Sequence, residues 1–425
     1  MRKLLLFVII FWGITADGIT AGAEIYDYPF VNPYEATVIG TPLLYSADLP
    51  KKVPVREMAL TVFKDRQVPD AFWYAKKLKY TLACQKKKAP LIFSIAGTGS
   101  SYNSTKMRML RNAFFQAGFH VISLTSPTHP DFMVSASASQ IPGHLAEDAR
   151  DLYRVMEMAW GQVRDKIDVS EFYLTGYSLG GAEAVFISRL DEKRRTFRFK
   201  KVLMINPPVN LFNSVRILDR MLTENTPDGP DRVARFLNNV LDALSEYYRQ
   251  QGGIDFNDPD LLYDIYKKNP PAERGLAGLI GASFRLSSAS MIFTTDVLNN
   301  LGYIVPKNRG LGAYESTTDY FKVTTRVGFT DYFHDIFYPH FKARYPDITP
   351  QDLIRSASLE SIETYLKNAK KIGVMHNEDD LILAPGETEF FKRVFGDRAK
   401  FYPNGGHCGN MQHKSNVAYM INFFK

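Results

Sequence analysis

Between residues 172 and 190 the chain passes from a strand-like stretch straight into a helix-like one. Only Gly176-Tyr177-Ser178-Leu179-Gly180 are there to make the turn. No other feature restricts the fold as tightly. A strand that becomes a helix within five residues needs small side chains two places before and two places after the apex. It also leaves the apical serine on a strained backbone, its hydroxyl standing above the end of a sheet. The pentapeptide alone is a weak signal, and an ordinary glycine-flanked turn is the alternative. Its weight comes from Phe172–Thr175, which reads as a strand, and Leu179–Leu190, which reads as a helix.

The rest of the chain repeats that alternation. Glu57–Phe63, Leu78–Cys84, Pro90–Ile95, Phe119–Thr125 and Val202–Ile205 are short runs with strand character, and Lys86-Lys87-Lys88 forms a turn between the second and third. Leu145, Ala149, Leu152, Met156 and Ala159 recur at helical spacing. Strands alternating with helices predict an α/β fold with a mostly parallel central sheet flanked by helices. From about 210 to 370 the alternation gives way to helical pattern, including a stripe from Val233 to Leu244 and a later run at Leu359–Leu366. Strand character then returns at Ile372–His376 and Ala399–Tyr402. The expected organisation is a leader at 1–23, a first core segment at 24–209, a helical cap of about 160 residues at 210–370, and a second core segment at 371–425. Gly275, Gly278 and Gly281 recur every third residue within an apolar stretch of the cap, where they predict close helix packing.

Composition narrows the class. Of 425 residues, 45% are hydrophobic and 23% charged, enough to build a large core, so wholesale disorder is excluded. The net charge of +7 is spread along the chain, and no module of the common nucleic-acid binders appears. Arg2 and Lys3, an apolar run from Leu4 to Thr15, and Ala21-Gly22-Ala23 read as an export signal cleaved near Ala23, too short to span a bilayer. A periplasmic or secreted location follows as an expectation. Cys84 and Cys408 belong at opposite ends of the sheet and are expected to stay unpaired, Cys408 packing behind the loop that carries His407. The sequon at Asn103-Ser104-Thr105 lies beside the expected chemistry and is read as chance.

A serine hydroxyl needs a base to take its proton, and the base needs an acid to orient it. With a strand-to-helix serine the chain order is serine, acid, histidine. Of eight histidines, His407 alone fits, in Asn404-Gly405-Gly406-His407 just after the last strand. The acid belongs in Asn377-Glu378-Asp379-Asp380, at the carboxyl end of the preceding strand; Asp380 is the first choice and Asp379 the alternative. His129, in the loop after Phe119–Thr125, and Asn206, after Val202–Ile205, are candidates to line a pocket, with an ordinary loop role as the alternative for His129. His334, Asp335 and His340 lack a metal-ligand spacing, and neither metal nor cofactor is expected.

Gly-Tyr-Ser-Leu-Gly-Gly at 176–181, His-Asn-Glu-Asp-Asp at 376–380 and Gly-Gly-His at 405–407 resemble the α/β-hydrolase superfamily. The acid loop of that family commonly reads His-Gly-x-x-Asp, so Asp380 matches its aspartate while Asn377 replaces the glycine. The resemblance spans roughly 55–210 and 370–425, and omits the cap and the N-terminal segment. It implies an oxyanion hole made by the Leu179 N–H and by a donor from Ala96-Gly97-Thr98-Gly99, with Thr98 as the donor and Ala96 where the family usually has histidine. Gly97 lets main chain approach a ligand there, and Tyr177 is placed to line the pocket. The implied activity is cofactor-free acyl transfer on a small-molecule or peptide substrate with an ester or amide bond. A carboxylic-ester hydrolase is the leading expectation, an aminopeptidase-like peptidase or amidase the second, and a non-catalytic binding protein on the same scaffold the third.

Overall fold

The structure, a computed structural model, describes residues 26–226, 235–236 and 273–425. The leader at 1–23 and nearly all of the stripe from Val233 to Leu244 lie outside the described residues. The strands are β1 (Arg56–Leu60), β2 (Leu78–Ala83), β3 (Ala89–Ile95), β4 (His120–Leu124), β5 (Val169–Tyr177), β6 (Lys201–Ile205), β7 (Ile372–Asn377) and β8 (Ala399–Tyr402). Among the described residues they form one eight-stranded sheet in the order β1-β2-β4-β3-β5-β6-β7-β8. β2 runs antiparallel to both its neighbours, and every pairing from β4 to β8 is parallel. Strand order and direction together are those of the α/β-hydrolase fold.

The sheet is buried on both faces, which explains its near-continuous apolar strands. Leu91, Phe93 and Ile95 of β3 point into one core layer and Ile92 into the other, the alternation that a pleated strand imposes. The first layer is closed by α4 (Leu145–Val163) and α5 (Leu179–Arg194), through Leu152, Met156, Val185 and Phe186. The second is closed by α2 (Thr105–Gln116) and α10 (Lys414–Phe424), through Leu110, Phe114, Met420 and Phe424.

Three local readings need correcting. β2 and β3 are consecutive but not adjacent, because β4 inserts between them. The short Lys86–Lys88 connection looks like a hairpin turn, yet pairing depends on the partner strand rather than on loop length. Leu359, Ile362 and Leu366 do not belong to the cap: they pack into the core layer under α4 and α5, on a turn that leads into α8 (Glu363–Asn368). The helix α2 has no counterpart in the sequence reading. Cys84 and Cys408 are both free, as expected. Cys84 follows β2 where Ala83 pairs with Val121, near the amino end of β4, so its level in the sheet is the expected one despite the changed neighbour.

The segment between β6 and β7 contributes most of a further hydrophobic cluster, which also takes in Met133 and Ile141 from the stretch before α4. The long helices of the segment are α6 (Leu211–Asn225) and α7 (Glu273–Asn299). Gly281 lets them touch, since a Cβ there would lie 2.4 Å from the Leu222 nitrogen. Buried Arg285 on α7 bonds Asp219 on α6 at 3.0 Å. Met291, Ile292, Phe329, Phe333 and Phe337 fill the space between this pair and the shorter helices that follow. α7 is long and apolar enough to cross a membrane, and most of its apolar window is buried against the rest of the protein.

One core group is poorly provided for. Glu183 on α5 is fully buried, and neither of its carboxyl oxygens has a hydrogen-bond partner among the described residues. Burial first, then repulsion by Asp148 and Asp151, hold its carboxyl well above the ordinary range. Below the ordinary glutamate value folded and unfolded chains both carry the proton, so nothing is lost. Above it the unfolded chain ionises while the folded one does not, and stability falls as pH rises. Glu183→Gln should therefore raise stability at pH 8 by on the order of 1 kcal/mol and have almost no effect near pH 4. Denaturation midpoints at the two pH values check this. A gain as large at pH 4 as at pH 8 would contradict it.

Candidate active site

The turn at Ser178 has the geometry that its glycines permit. Ser178 sits at φ 54° and ψ −127°, a conformation unfavourable for a residue with a Cβ. A Cβ on Gly176 would stand 2.1 Å from the Gly180 oxygen, and one on Gly180 would stand 2.4 Å from the Ile95 oxygen. Strand and helix thus approach to a distance that no larger residue allows. The Ser178 N–H donates to the Ile205 carbonyl at 2.8 Å, pinning the turn to β6.

Ser178 Oγ lies 3.0 Å from His407 Nε2. The other ring nitrogen, Nδ1, lies 3.0 and 3.1 Å from the two Asp380 oxygens. Asp380 is buried, and also accepts from the Asn206 side-chain amide at 3.0 Å and from the Ile382 N–H at 3.2 Å. Burial alone would raise its carboxyl, but the charge of His407 and the hydrogen bond from it hold it below the usual range. For His407 burial is the largest single effect and works downward, but the Asp380 charge and hydrogen bond together with the neighbouring Cys408 outweigh it, so the imidazole is held well above its ordinary value. His376, 3.5 Å from Asp380, is kept from charging chiefly by burial. Its Nδ1 accepts from the Asn377 N–H at 3.0 Å, so its Nε2–H donates to the Pro207 carbonyl, also at 3.0 Å.

The loop that carries His407 is held from three sides by residues whose part sequence reasoning missed. Asp379, the alternative acid, does not touch the imidazole; it accepts from the N–H groups of Gly405 and Gly406 at 3.1 and 2.9 Å. Asn377, standing where the family pattern has glycine, donates to the Gly406 carbonyl at 2.7 Å and exchanges bonds with Asn410. The third brace is α1 (Pro33–Ile39), from the N-terminal segment: Thr37 Oγ1 accepts from the His407 N–H at 2.8 Å while donating to the Pro33 carbonyl at 2.7 Å. Gly406, at φ 53°, is required by this contact, since a Cβ there would lie 2.3 Å from the Pro33 oxygen. Asn32 followed by a proline was a readable helix start, with the Asn32 side chain accepting from Tyr34 N–H, but nothing local indicated where the helix docks.

Ser178 and His407 open into a cavity of about 360 Å³, walled by α1, by the starts of α2 and α5, and by α6 and α7. Thr98, Tyr177 and Leu179 line it. Gly97 lies against the serine: a Cβ there would stand 3.2 Å from the Ser178 Cβ and 2.7 Å from the Tyr177 ring. The N–H groups of Thr98 and Leu179 have no hydrogen-bond partner among the described residues. The remaining candidates are placed differently. Asn206 does not line the cavity but holds Asp380, from a backbone at φ 46°. His129 caps a short helix (Pro130–Ser135), accepting from the Asp131 N–H at 3.1 Å, and lies outside the cavity lining. Cys408 is buried as expected, but it also lines the cavity, its sulfur 3.8 Å from His407 Nε2.

No family model matches the chain, and no curated protein matches it either. Among solved structures, the acylaminoacyl peptidase of Pyrococcus horikoshii aligns at 12% identity with a TM-score of 0.42, over 88% of this chain and 41% of that one. This chain thus spans less than half the length of that peptidase. A peroxisomal α/β-hydrolase of Saccharomyces cerevisiae aligns at 11% identity and a TM-score of 0.42, covering 88% and 90% of the two chains. A thermostable carboxyl esterase of Bacillus coagulans aligns at 12% identity and a TM-score of 0.40, covering 88% and 98%.

Proposed function

We propose that the chain is a serine hydrolase that cleaves carboxylic esters through an acyl-enzyme on Ser178. The observation that carries this reading is the continuous path from Ser178 Oγ through His407 to Asp380, with hydrogen-bond distances of 3.0 to 3.1 Å. His407 Nε2 takes the hydroxyl proton as Oγ attacks the substrate carbonyl carbon. Asp380 accepts the Nδ1–H bond, fixing the tautomer and stabilising the imidazolium. The negative charge that gathers on the carbonyl oxygen is met by the free N–H groups of Thr98 and Leu179. His407 then passes its proton to the leaving oxygen as the carbon–oxygen bond breaks. A water molecule, deprotonated by the same nitrogen, attacks the acyl carbon; the carbon–Oγ bond breaks, His407 returns the proton to Ser178 Oγ, and the carboxylic acid leaves.

Ester is preferred to aminoacyl amide on the lining of the cavity. Its charged side chains among the described residues are Lys106 and His407, so no carboxylate there meets a substrate ammonium group. We read residues 1–23 as an export signal, which places the enzyme in the periplasm or outside the cell. Steady-state assays of the purified chain against 4-nitrophenyl esters and aminoacyl-4-nitroanilides test the preference. The expected result is ester turnover at least about a hundredfold above anilide turnover, since the phenolate needs far less help to leave. Anilide turnover equal to or above ester turnover would move the reading to a peptidase.

A further inference from the structure

A second, narrower cavity of about 60 Å³ adjoins the first, and Thr98, Leu179, Leu211 and Val215 line both. The two spaces therefore meet at the residues whose N–H groups are placed to hold the carbonyl oxygen. Ser178 and His407 line only the larger one. The smaller one lies between Met291, Phe329, Phe333, Phe337 and Ile354, and Ala357 is part of its wall. Two hydroxyl groups on its wall are engaged elsewhere: Tyr332 donates to the Pro142 carbonyl at 2.8 Å, and Thr128 Oγ1 accepts from the Gly99 N–H at 2.8 Å. The larger space has a mixed lining, with Lys106, Ser283 and Ser287 beside Leu218, Ile280 and Phe284.

We propose that the smaller cavity is the acyl slot and the larger one the leaving-group site, so that the substrates are esters of an apolar, unbranched acyl chain. The assignment rests on the reading of Ser178 as nucleophile. Its direction follows from proton transfer. His407 Nε2 must reach the leaving oxygen, so the alcohol lies on the side that His407 lines. The acyl substituent, on the other side of the carbonyl, is left with the space beyond Thr98 and Leu179. That space offers apolar side chains and, among the described residues, carries no charged group on its wall. Each methylene buried there adds to binding, so a chain several carbons long gains far more than an acetyl group.

Isomeric esters separate orientation from hydrophobicity. Ethyl hexanoate and hexyl acetate have the same formula and differ only in which side of the ester carries the chain. The proposal expects kcat/KM for ethyl hexanoate to exceed that for hexyl acetate by at least about tenfold. Filling the slot by Ala357→Leu should reduce that ratio to near unity. Ile354→Phe, on a neighbouring turn, makes the same test if the first variant does not fold. A wild-type ratio at or below unity would overturn the assignment, as would folded slot variants that keep the wild-type preference. Failure to hydrolyse either isomer or any 4-nitrophenyl ester would instead remove the serine-esterase reading, and the slot assignment with it.

Discussion

Ser178→Ala is expected to lower ester turnover by roughly 10⁴- to 10⁶-fold while leaving the fold unchanged. The turn does not depend on the hydroxyl. It is made by the close approach of Gly176 and Gly180 and by the bond from the Ser178 N–H to Ile205, all of which alanine keeps. The loss should fall on kcat rather than on KM, because Oγ bonds substrate only as the new carbon–oxygen bond forms. Circular dichroism and a thermal midpoint within a degree or two of the wild type would show that the loss is chemical. Serine is also the residue here whose replacement by threonine should fail, since a β-branched side chain at φ 54° strains the turn further.

Asp380→Asn should cost on the order of 10³- to 10⁴-fold in kcat, and its pH profile should identify the cause. Three donors point at the Asp380 oxygens: His407 Nδ1, the Asn206 amide and the Ile382 N–H. A carboxylate satisfies all three. An asparagine has one acceptor atom, and its NH₂ group must face at least one of those donors, so the imidazole loses the partner that fixes its tautomer. The pH effect has a definite sign. His407 acts as a base only when neutral, so activity rises with pH through its titration. In the wild type the Asp380 charge and hydrogen bond, together with Cys408, hold that titration above the ordinary imidazole value against burial. Without the charge, burial dominates and favours the neutral ring, so the acid limb of the residual activity should move to lower pH. Asp379→Asn serves as the comparison. It loosens the brace on Gly405 and Gly406 without removing the charge beside the imidazole, so its acid limb should stay near the wild-type position.

What was legible in the sequence is what local chemistry determines. The glycines around Ser178 are demanded by the turn itself, and the loops that carry Asp380 and His407 follow strands whose apolar, β-branched runs mark them. The order of β2, β4 and β3 was not legible, because the pattern of a buried strand says that it has neighbours without saying which. For the same reason Leu359 to Leu366 showed a helix-like period but not whether its partner was the cap or the sheet. The brace from Thr37 was hidden more deeply. An isolated threonine in a short helix acquires its role only when the chain returns some 370 residues later to place the His407 N–H against it. Asn377 and Asp379 stood in the right loop, yet only the fold shows that their side chains turn toward Gly405, Gly406 and Asn410 rather than toward the imidazole.

The central claim is that Ser178 is the atom donor to a covalent intermediate, and one measurement addresses it without assuming a substrate. The native protein is treated with a fluorophosphonate, digested, and its peptides are mapped by mass spectrometry. The account predicts a single phosphonylated residue, Ser178, with labelling abolished in His407→Ala because the hydroxyl then lacks its base. Stoichiometric labelling at another residue, or labelling of Ser178 at the wild-type rate without His407, would contradict it.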